Sequence, residues 1–393
     1  MYGGNCMKFK RIIAFVLALV MVMATVACSN STNSDNSKGG NDNTAKKAGQ
    51  TAIKKEDLKV GVIHIGDPAS GSGYSYTHDV GIQAMQKELG LQDSQIIRKN
   101  NISDSDNAAI KQAIEECVAE KCQIIFGTSW GYMDPMEEMA KKYPEVVFSH
   151  GSGYKSNDSN FNNYFGRIYQ ARYLTGIVAG MNTKSNKIGY VAAMGDSNSE
   201  VTGGINAFAL GVKAVNPSAQ VFVKVTNTWF DVTLEGQAAE ALLDEGCDVI
   251  AQHQDTTAPQ LAAEKRGAFS IGYNSDMSKD APKANLTSAI WNWGVYYTLA
   301  TKQVLEGKWT NENYFGGMDD GLVDISPLTS LCSKDTQAKV DEVKAKIKDG
   351  SFKVFEGEIK DNKGNVVNKA GSVISDADIT GKMTWYNENV TVK

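Results

Sequence analysis

A chain of 393 residues with 45 acidic and 40 basic side chains carries a formal charge of −5. That length suffices for two lobes of ordinary size with appendages, and mild acidity argues against a surface built for nucleic acid. Hydrophobic content of 42% is that of a soluble globular protein, and 4 histidines with no clustered carboxylate motif leave little for a hydrolytic centre.

Lys8, Lys10 and Arg11 precede the apolar run Ile12–Ala27. A basic segment, an apolar core and small residues predict a secretory signal over 1–28, too short for a comfortable membrane span. Thr25-Val26-Ala27-Cys28 resembles the end of a bacterial lipobox, in which the Cys is lipidated and becomes the first mature residue. Thr25 stands where an apolar residue is usual; the plain alternative is secretion with Cys28 unmodified. Residues 29–52 are Ser, Asn, Gly, Asp and Lys with few apolar groups, and read as a disordered tether.

The folded part opens on Lys59–Gly81, KVGVIHIGDPASGSGYSYTHDVG. Val60, Val62, Ile63 and Ile65 form a β-branched run bounded by Gly66-Asp67-Pro68, which predicts a buried parallel strand. Gly66–Gly73 reads as a loop of small residues and Ile82–Leu89 as the following helix. Without G-x-G-x-x-G or a P-loop Lys, the loop does not read as a phosphate cradle. Tyr74 and Tyr76 stand at its end, where a solvent loop would be polar. Strand Gln95–Asn100, helix Asp104–Ala119 and strand Gln123–Phe126 follow, the last running into Gly127-Thr128-Ser129-Trp130-Gly131-Tyr132-Met133-Asp134. Helix Pro135–Lys142, strands Glu145–Ser149 and Asn163–Phe165, and helix Ile168–Met181 complete the first round.

The alternation then restarts. Strand Lys187–Ala193, helix Glu200–Val215 and strand Gln220–Thr226 lead to Trp229-Phe230-Asp231. Helix Thr233–Glu245 and strand Asp248–Gln252 lead to His253-Gln254-Asp255. Helix Ala258–Arg266 and strand Phe269–Tyr273 lead to Asn274-Ser275-Asp276, and strand Leu286–Ile290 to Trp291-Asn292-Trp293. Helices Val295–Leu305 and Lys334–Lys348 and hairpin-like pieces over 352–367 close the chain. Two successive wound halves predict an α/β fold with two similar lobes. In such sheets ligands bind beyond the carboxyl ends of the strands. There the loops carry Tyr74, Trp130, Tyr132, Asp134, Trp229, Asp231, Asp255, Asp276 and Trp291. A cleft so lined suits a flat, partly polar small molecule.

Cys117 and Cys122 form a C-x₄-C pair without a nearby His, weak grounds for a metal site. A local disulfide is open to them outside the cell; buried free thiols are the plainer reading for these two, Cys247 and Cys332.

GVIHIG, GYSYTHDVG, GTSWGYMDPM, YFGRIYQARYLTGIVAG, KIGYVAA, GGINAFALGV, NTWFD, DVIAQHQDTTAP and LTSAIWNWGVYY, in this order, resemble the basic membrane protein family from Lys59 to the carboxyl terminus. These are lipid-anchored substrate-binding proteins of ABC importers, often called purine nucleoside receptors. The resemblance implies a type I periplasmic-binding-protein fold, two Rossmann-like lobes joined by three crossover strands. It divides the chain into 53–166 plus 289–330, and 167–288 plus 331–393 with a carboxy-terminal extension. It implies a monomer on the outer face of the membrane or in a periplasm, with a permease and an ATPase as partners. No catalysis, cofactor, metal or nucleic acid is implied. TSWGYMD, NTWFD and QHQDTTA resemble a branch associated with free bases such as adenine.

By the same resemblance, Tyr74 covers one face of the ligand, with Tyr76 as its backup, and Trp229 the other, with Phe230 beside it. Asp276 and Asp134 match family carboxylates. Trp291 stands where nucleoside-binding members carry a Lys, which favours a bare base over a ribosylated one. Ser75, Trp130, Tyr132, Asn206, Asp255 and Asn292 complete the expected contacts, with Asp276 and Asn292 reading the polar edge. Several have plainer roles open to them: a core pair for Trp130 and Tyr132, a helix cap for Asp134 and Asp231. Trp291 and Trp293 alternate, so at most one is expected to face the cleft. Arg167 and Arg172 read as hinge or salt-bridge residues. Riboflavin or a sugar is the alternative ligand, and a sensory receptor the alternative role.

Overall fold

A computed structural model describes residues 47–393. The signal, Cys28 and most of the tether lie outside the described residues. Residues 47–52, the end of the expected tether, are described and touch the fold. Ala48 is buried against the core, and the Gly49 carbonyl accepts from the Trp309 N–H at 3.1 Å.

The first sheet takes β1 (Val60–Ile63), β2 (Ile96–Lys99), β3 (Ile124–Gly127), β4 (Val147–Gly151) and β5 (Phe161–Gly166). The second takes β6 (Lys187–Ala192), β7 (Gln220–Val225), β8 (Val249–His253), β9 (Phe269–Asn274) and β10 (Asn285–Trp291). β11 (Tyr314–Gly316) returns to the first sheet and β12 (Val323–Ile325) to the second. β13 (Ile359–Lys360) and β14 (Val366–Asn368) make a small hairpin, and β15 (Val390–Val392) lies parallel to β7 on the second sheet's edge. The orders are β11-β5-β4-β3-β1-β2 and β12-β10-β9-β8-β6-β7-β15, and only the β10–β12 pairing within them is antiparallel. The chain therefore passes between the sheets three times: after β5, after β10 and after β11. The segment 289–330 is divided, since Ala289–Trp291 and β12 belong to the second sheet.

Helices α1 (Gly73–Leu89), α2 (Asn107–Ala119) and α3 (Met133–Lys142) serve the first half; α4 (Ile168–Asn182), α5 (Ser199–Val215), α6 (Val232–Asp244) and α7 (Ala258–Lys265) serve the second. α8 (Gly294–Glu306) packs on α1, α9 (Thr336–Lys348) on α4, and α10 (Asp376–Gly381) on α5. No described helix is long and apolar enough to cross a membrane.

The alternation of side chains along β1 explains its burial on both faces. Val60 and Val62 join the core under α1 and α8, and Ile63 joins the one under α2 and α3. The predicted Gly66–Gly73 loop is shorter than expected. Asp67 accepts from the Ala69 N–H and holds a 3₁₀ turn at Pro68–Ser70, and α1 starts at Gly73. Tyr74, Ser75 and Tyr76 thus sit on the first turn of a helix rather than on a loop. Cys117, Cys122 and Cys247 are buried free thiols, and Cys332 is a half-buried one.

Candidate functional site

The carboxyl ends of the two sheets face one another and touch. Gly73, with φ of +83°, lies against the Asp255 carbonyl so closely that a Cβ would come within 2.4 Å of it. Glycine alone fits both demands without strain. Thr77 Oγ1 donates across the gap to the carbonyls of Asn274 (3.2 Å) and Trp291 (3.4 Å). The two halves are therefore in contact at their strand ends.

Tyr74 is on the first-half side. Its hydroxyl donates to the Thr128 carbonyl at 2.5 Å, and its ring meets His78 edge-on at 4.4 Å. Burial first, then Tyr164, Tyr273 and Asp255, push its hydroxyl well above the ordinary tyrosine range. On the second-half side, Trp229 is half-buried with its ring 5.7 Å from His253, and its carbonyl accepts from the Asp255 N–H at 3.0 Å. Tyr74 and Trp229 thus both border Asp255.

The Asp255 carboxylate is the central polar group. It accepts from Asn274 Nδ2 at 2.8 Å, and burial, helped by Glu235 and Glu200, pushes it up to about 7. Asn274 is itself buried and left-handed, with φ of +67°, and its Oδ1 has no partner among the described residues. A non-glycine residue held left-handed with an unspent acceptor is a mark of a functional position.

Several expected contacts are engaged elsewhere. Tyr132 is fully buried in the first half's core and donates to the Ile102 carbonyl. Asp134 lies inside α3, which begins at Met133, so it is no cap; it is exposed and pairs with Lys155 at 2.7 Å. Trp130 is 55% exposed and leans on Tyr154, which is more exposed still. Ser75 Oγ accepts the Gly66 N–H, so it closes its own turn. Tyr76 is half-buried two residues beyond Tyr74. Asn206 is consumed by the carboxy-terminal segment: Nδ2 donates to the Trp385 carbonyl at 2.7 Å and Oδ1 accepts from the Asn387 N–H at 2.8 Å. Asp276 is exposed and accepts from the Ser278 N–H, a turn rather than an inward carboxylate. Asn292 is exposed and ties the second crossing to the Gly321 carbonyl. Asp231 caps α6, accepting from the N–H groups of Thr233 and Leu234.

Trp291 and Trp293 are both buried. β10 ends at Trp291 and α8 starts at Gly294, and the two indoles, two residues apart and on one side of the chain, stack at 4.4 Å with planes 11° apart. His78 covers the other face of Trp293 at 4.4 Å, and Phe165 leans on Trp291 at 5.0 Å. The result is an aromatic column along the second crossing, ending at Tyr74. Near Asp255 lie Tyr273, His253, Glu200 and Arg172; Arg172 reads from the sequence as a hinge or salt-bridge residue, and Tyr273 and Glu200 carry no signal there. Glu200 Oε1 is 3.0 Å from His253 Nε2. Burial and then Arg172 lower the His253 imidazole, against the pull of Glu200. A surface pocket of about 590 Å³ lies elsewhere, where Arg167 and Asp319 meet Phe352, Phe355 and Asp376.

Two α/β halves threaded by three crossings, their strand ends facing one another, define a type I periplasmic-binding-protein fold. Solved structures agree: an ABC transporter solute-binding protein from Conexibacter woesei (TM-score 0.62, 21% identity, 75% of this chain and 98% of that one) and a transcriptional activator from Bacillus halodurans (TM-score 0.65, 20% identity, 75% and 99%). Residues 58–362 match the family described as ABC transporter substrate-binding protein PnrA-like, and the chain belongs to it. A purine-binding protein of Brucella abortus is 38% identical over 298 residues, 74% of this chain and 83% of that protein. A Haloferax volcanii protein, provisionally named an ABC transporter glucose-binding protein, is 39% identical over 273 residues, 69% of this chain and 68% of that protein.

Proposed function

We propose that this substrate-binding protein captures a purine base or nucleoside in the crevice between its halves. It works outside the cytoplasm, tethered through a lipid on Cys28, and hands the ligand to an ABC permease driven by its ATPase. It binds without making or breaking bonds. The observation that carries this reading is the hydrogen-bonded pair of half-buried Asp255 and buried Asn274, set beside two rings, Tyr74 and Trp229. Stacking contributes about 1–3 kcal/mol per base and hardly separates one flat ring from another. The carboxylate and the amide supply discrimination, because a ligand without the matching donor leaves them unpaired. The likeness to the Brucella abortus purine-binding protein supports the same ligand class. The likeness to the Haloferax volcanii protein favours a second reading, a sugar, since indole faces also suit sugar rings.

The test is calorimetry on protein stripped of carried-over ligand by unfolding and refolding. Heat with adenine, guanine, hypoxanthine or one of their nucleosides is expected. Silence with all of them, and binding of glucose, would establish the second reading instead. For the anchor, Cys28→Ser should move the protein from the membrane fraction to the soluble one; no movement removes the lipid from the account.

A further inference from the structure

Arg172 stands one turn into α4, just after the first crossing, and none of it is exposed. Its guanidinium lies 3.9 Å from the centre of the Tyr273 ring, and Nη1 donates to the Gln252 carbonyl. Nε and Nη2 meet no acceptor among the described residues. Two idle donors on a buried cation are costly. A guanidinium keeps its proton under all ordinary conditions, so it can relieve that cost only by finding an acceptor.

Glu200 faces the same place from the first turn of α5 and is 20% exposed on its side chain. Burial opposes its charge, but His253 and then Arg172 outweigh burial and keep the carboxyl below the ordinary range. Arg172 and Glu200 feel one another yet form no ion pair, as a purely structural neutralising couple would. The rings of Tyr273 and Trp229 pack on His253 at 4.8 and 5.7 Å, which ties this charged couple to the wall of the crevice.

We propose that Arg172 and Glu200 are specificity-determining residues that together read a lactam edge. Arg172 donates to the ligand's carbonyl oxygen and Glu200 accepts from the adjacent ring N–H. This rests on the purine reading of the same crevice and narrows it to 6-oxopurines, hypoxanthine or guanine, over adenine. The reason is the order of donors and acceptors. A lactam presents an acceptor beside a donor, matching arginine beside carboxylate. Adenine presents the reverse, an amino group toward the guanidinium and a bare ring nitrogen toward the carboxylate; the guanidinium cannot shed its proton, and His253 and Arg172 hold the Glu200 carboxyl to its ionised form.

The experiment is calorimetry of the stripped protein with hypoxanthine, guanine and adenine, on the wild type, Arg172→Lys and Glu200→Gln, with a denaturation midpoint recorded for each. The wild type is expected to bind the oxopurines at least about tenfold more tightly than adenine. Each variant is expected to lose about tenfold or more on the oxopurines and less than about threefold on adenine, the lysine failing because it is a point donor without the planar fork. Adenine bound as tightly as hypoxanthine by the wild type, or parallel loss of all three ligands in the variants, overturns the proposal. Should Arg172→Lys not fold, Glu200→Gln decides. Should the wild type bind no purine, the purine reading falls. The edge is then judged on the small molecule that co-purifies with the wild type, identified by mass spectrometry: its retention in Glu200→Gln overturns the edge, and its loss upholds it.

Discussion

At the end of β3, Tyr132 turns into its own half and Asp134 turns to solvent; at the ends of β8 and β9, Asp255 and Asn274 turn toward the other half. The same contrast holds loop by loop. First-half groups spend their hydrogen bonds locally, Ser75 on Gly66 and Tyr74 on Thr128, and what remains toward the crevice is ring surface. Unspent polar atoms stand on both sides: Asn274 Oδ1, Gln254 Oε1, and Arg172 Nε and Nη2 in the second half, and His64 Nδ1 and Nε2, His78 Nε2 and His150 Nδ1 in the first. Buried polar atoms are nearly always paired; the first half's are imidazoles, which can exchange donor and acceptor by tautomer, while the second half's amide and guanidinium groups have fixed roles, and that contrast assigns grip to one half and discrimination to the other. Substitutions on the first-half side should thus change how tightly any flat ligand is held, and those on the second-half side which ligand is held.

The largest expected effect tests the grip. Trp293 is fully buried, with His78 on one face and Trp291 on the other. Trp293→Ala should cost about 3–5 kcal/mol of stability, read from a guanidinium titration. A cost below about 1 kcal/mol would mean that the column carries no weight at the crossing. Next is Gly73, where a methyl group would both strain a φ of +83° and strike the Asp255 carbonyl. Gly73→Ala should weaken ligand binding by about thirtyfold, about 2 kcal/mol, for every ligand alike. Selective loss of one ligand would break the division between the halves.

Asp255→Asn probes the other side through pH. The folded carboxyl is pushed up to about 7 from an ordinary 3.8, so between those values the native state binds more protons than the unfolded one. Stability of the ligand-free wild type should therefore fall as pH rises from 4 to 7. The amide removes that slope, leaving Asp255→Asn about 1–2 kcal/mol more stable than wild type at pH 8, less than full linkage because the site is not sealed from water. Identical pH profiles for the two proteins would show that Asp255 is not held in an apolar crevice.

The contrast between halves also explains what could be read from the residues alone. β1, β3, β6 and β8 announce themselves as short apolar runs, because burial on both faces leaves no room for polar alternation. The strand-end positions followed from that register. Which of Asn274, Ser275 and Asp276 turns inward did not, since it depends on one left-handed φ at Asn274. Asn206 and Tyr132 were lost to partners far along the chain, Trp385 and Asn387 for one and Ile102 for the other, and a local pattern carries no trace of such contacts. Arg172 was read as a hinge or salt-bridge residue; its place under Tyr273 emerges only when α4 and β9 come together.

The smallest expected effect concerns the region beyond residue 362, where the family match ends. Asp376 reaches back to the first crossing, 2.9 Å from Arg167 and 2.7 Å from the Tyr169 hydroxyl, and its side chain is a third exposed. Such a half-solvated pair is worth little to stability, so Asp376→Asn should cost about 0.5–1 kcal/mol in a denaturant titration. The crossing itself is held by Arg167 Nη1 donating to the Phe315 carbonyl, which the substitution leaves alone, so ligand preference should not move. A change in preference between hypoxanthine and adenine on Asp376→Asn would mean that the carboxy-terminal segment reaches the reading side, and discrimination would no longer belong to the strand ends of the second sheet alone.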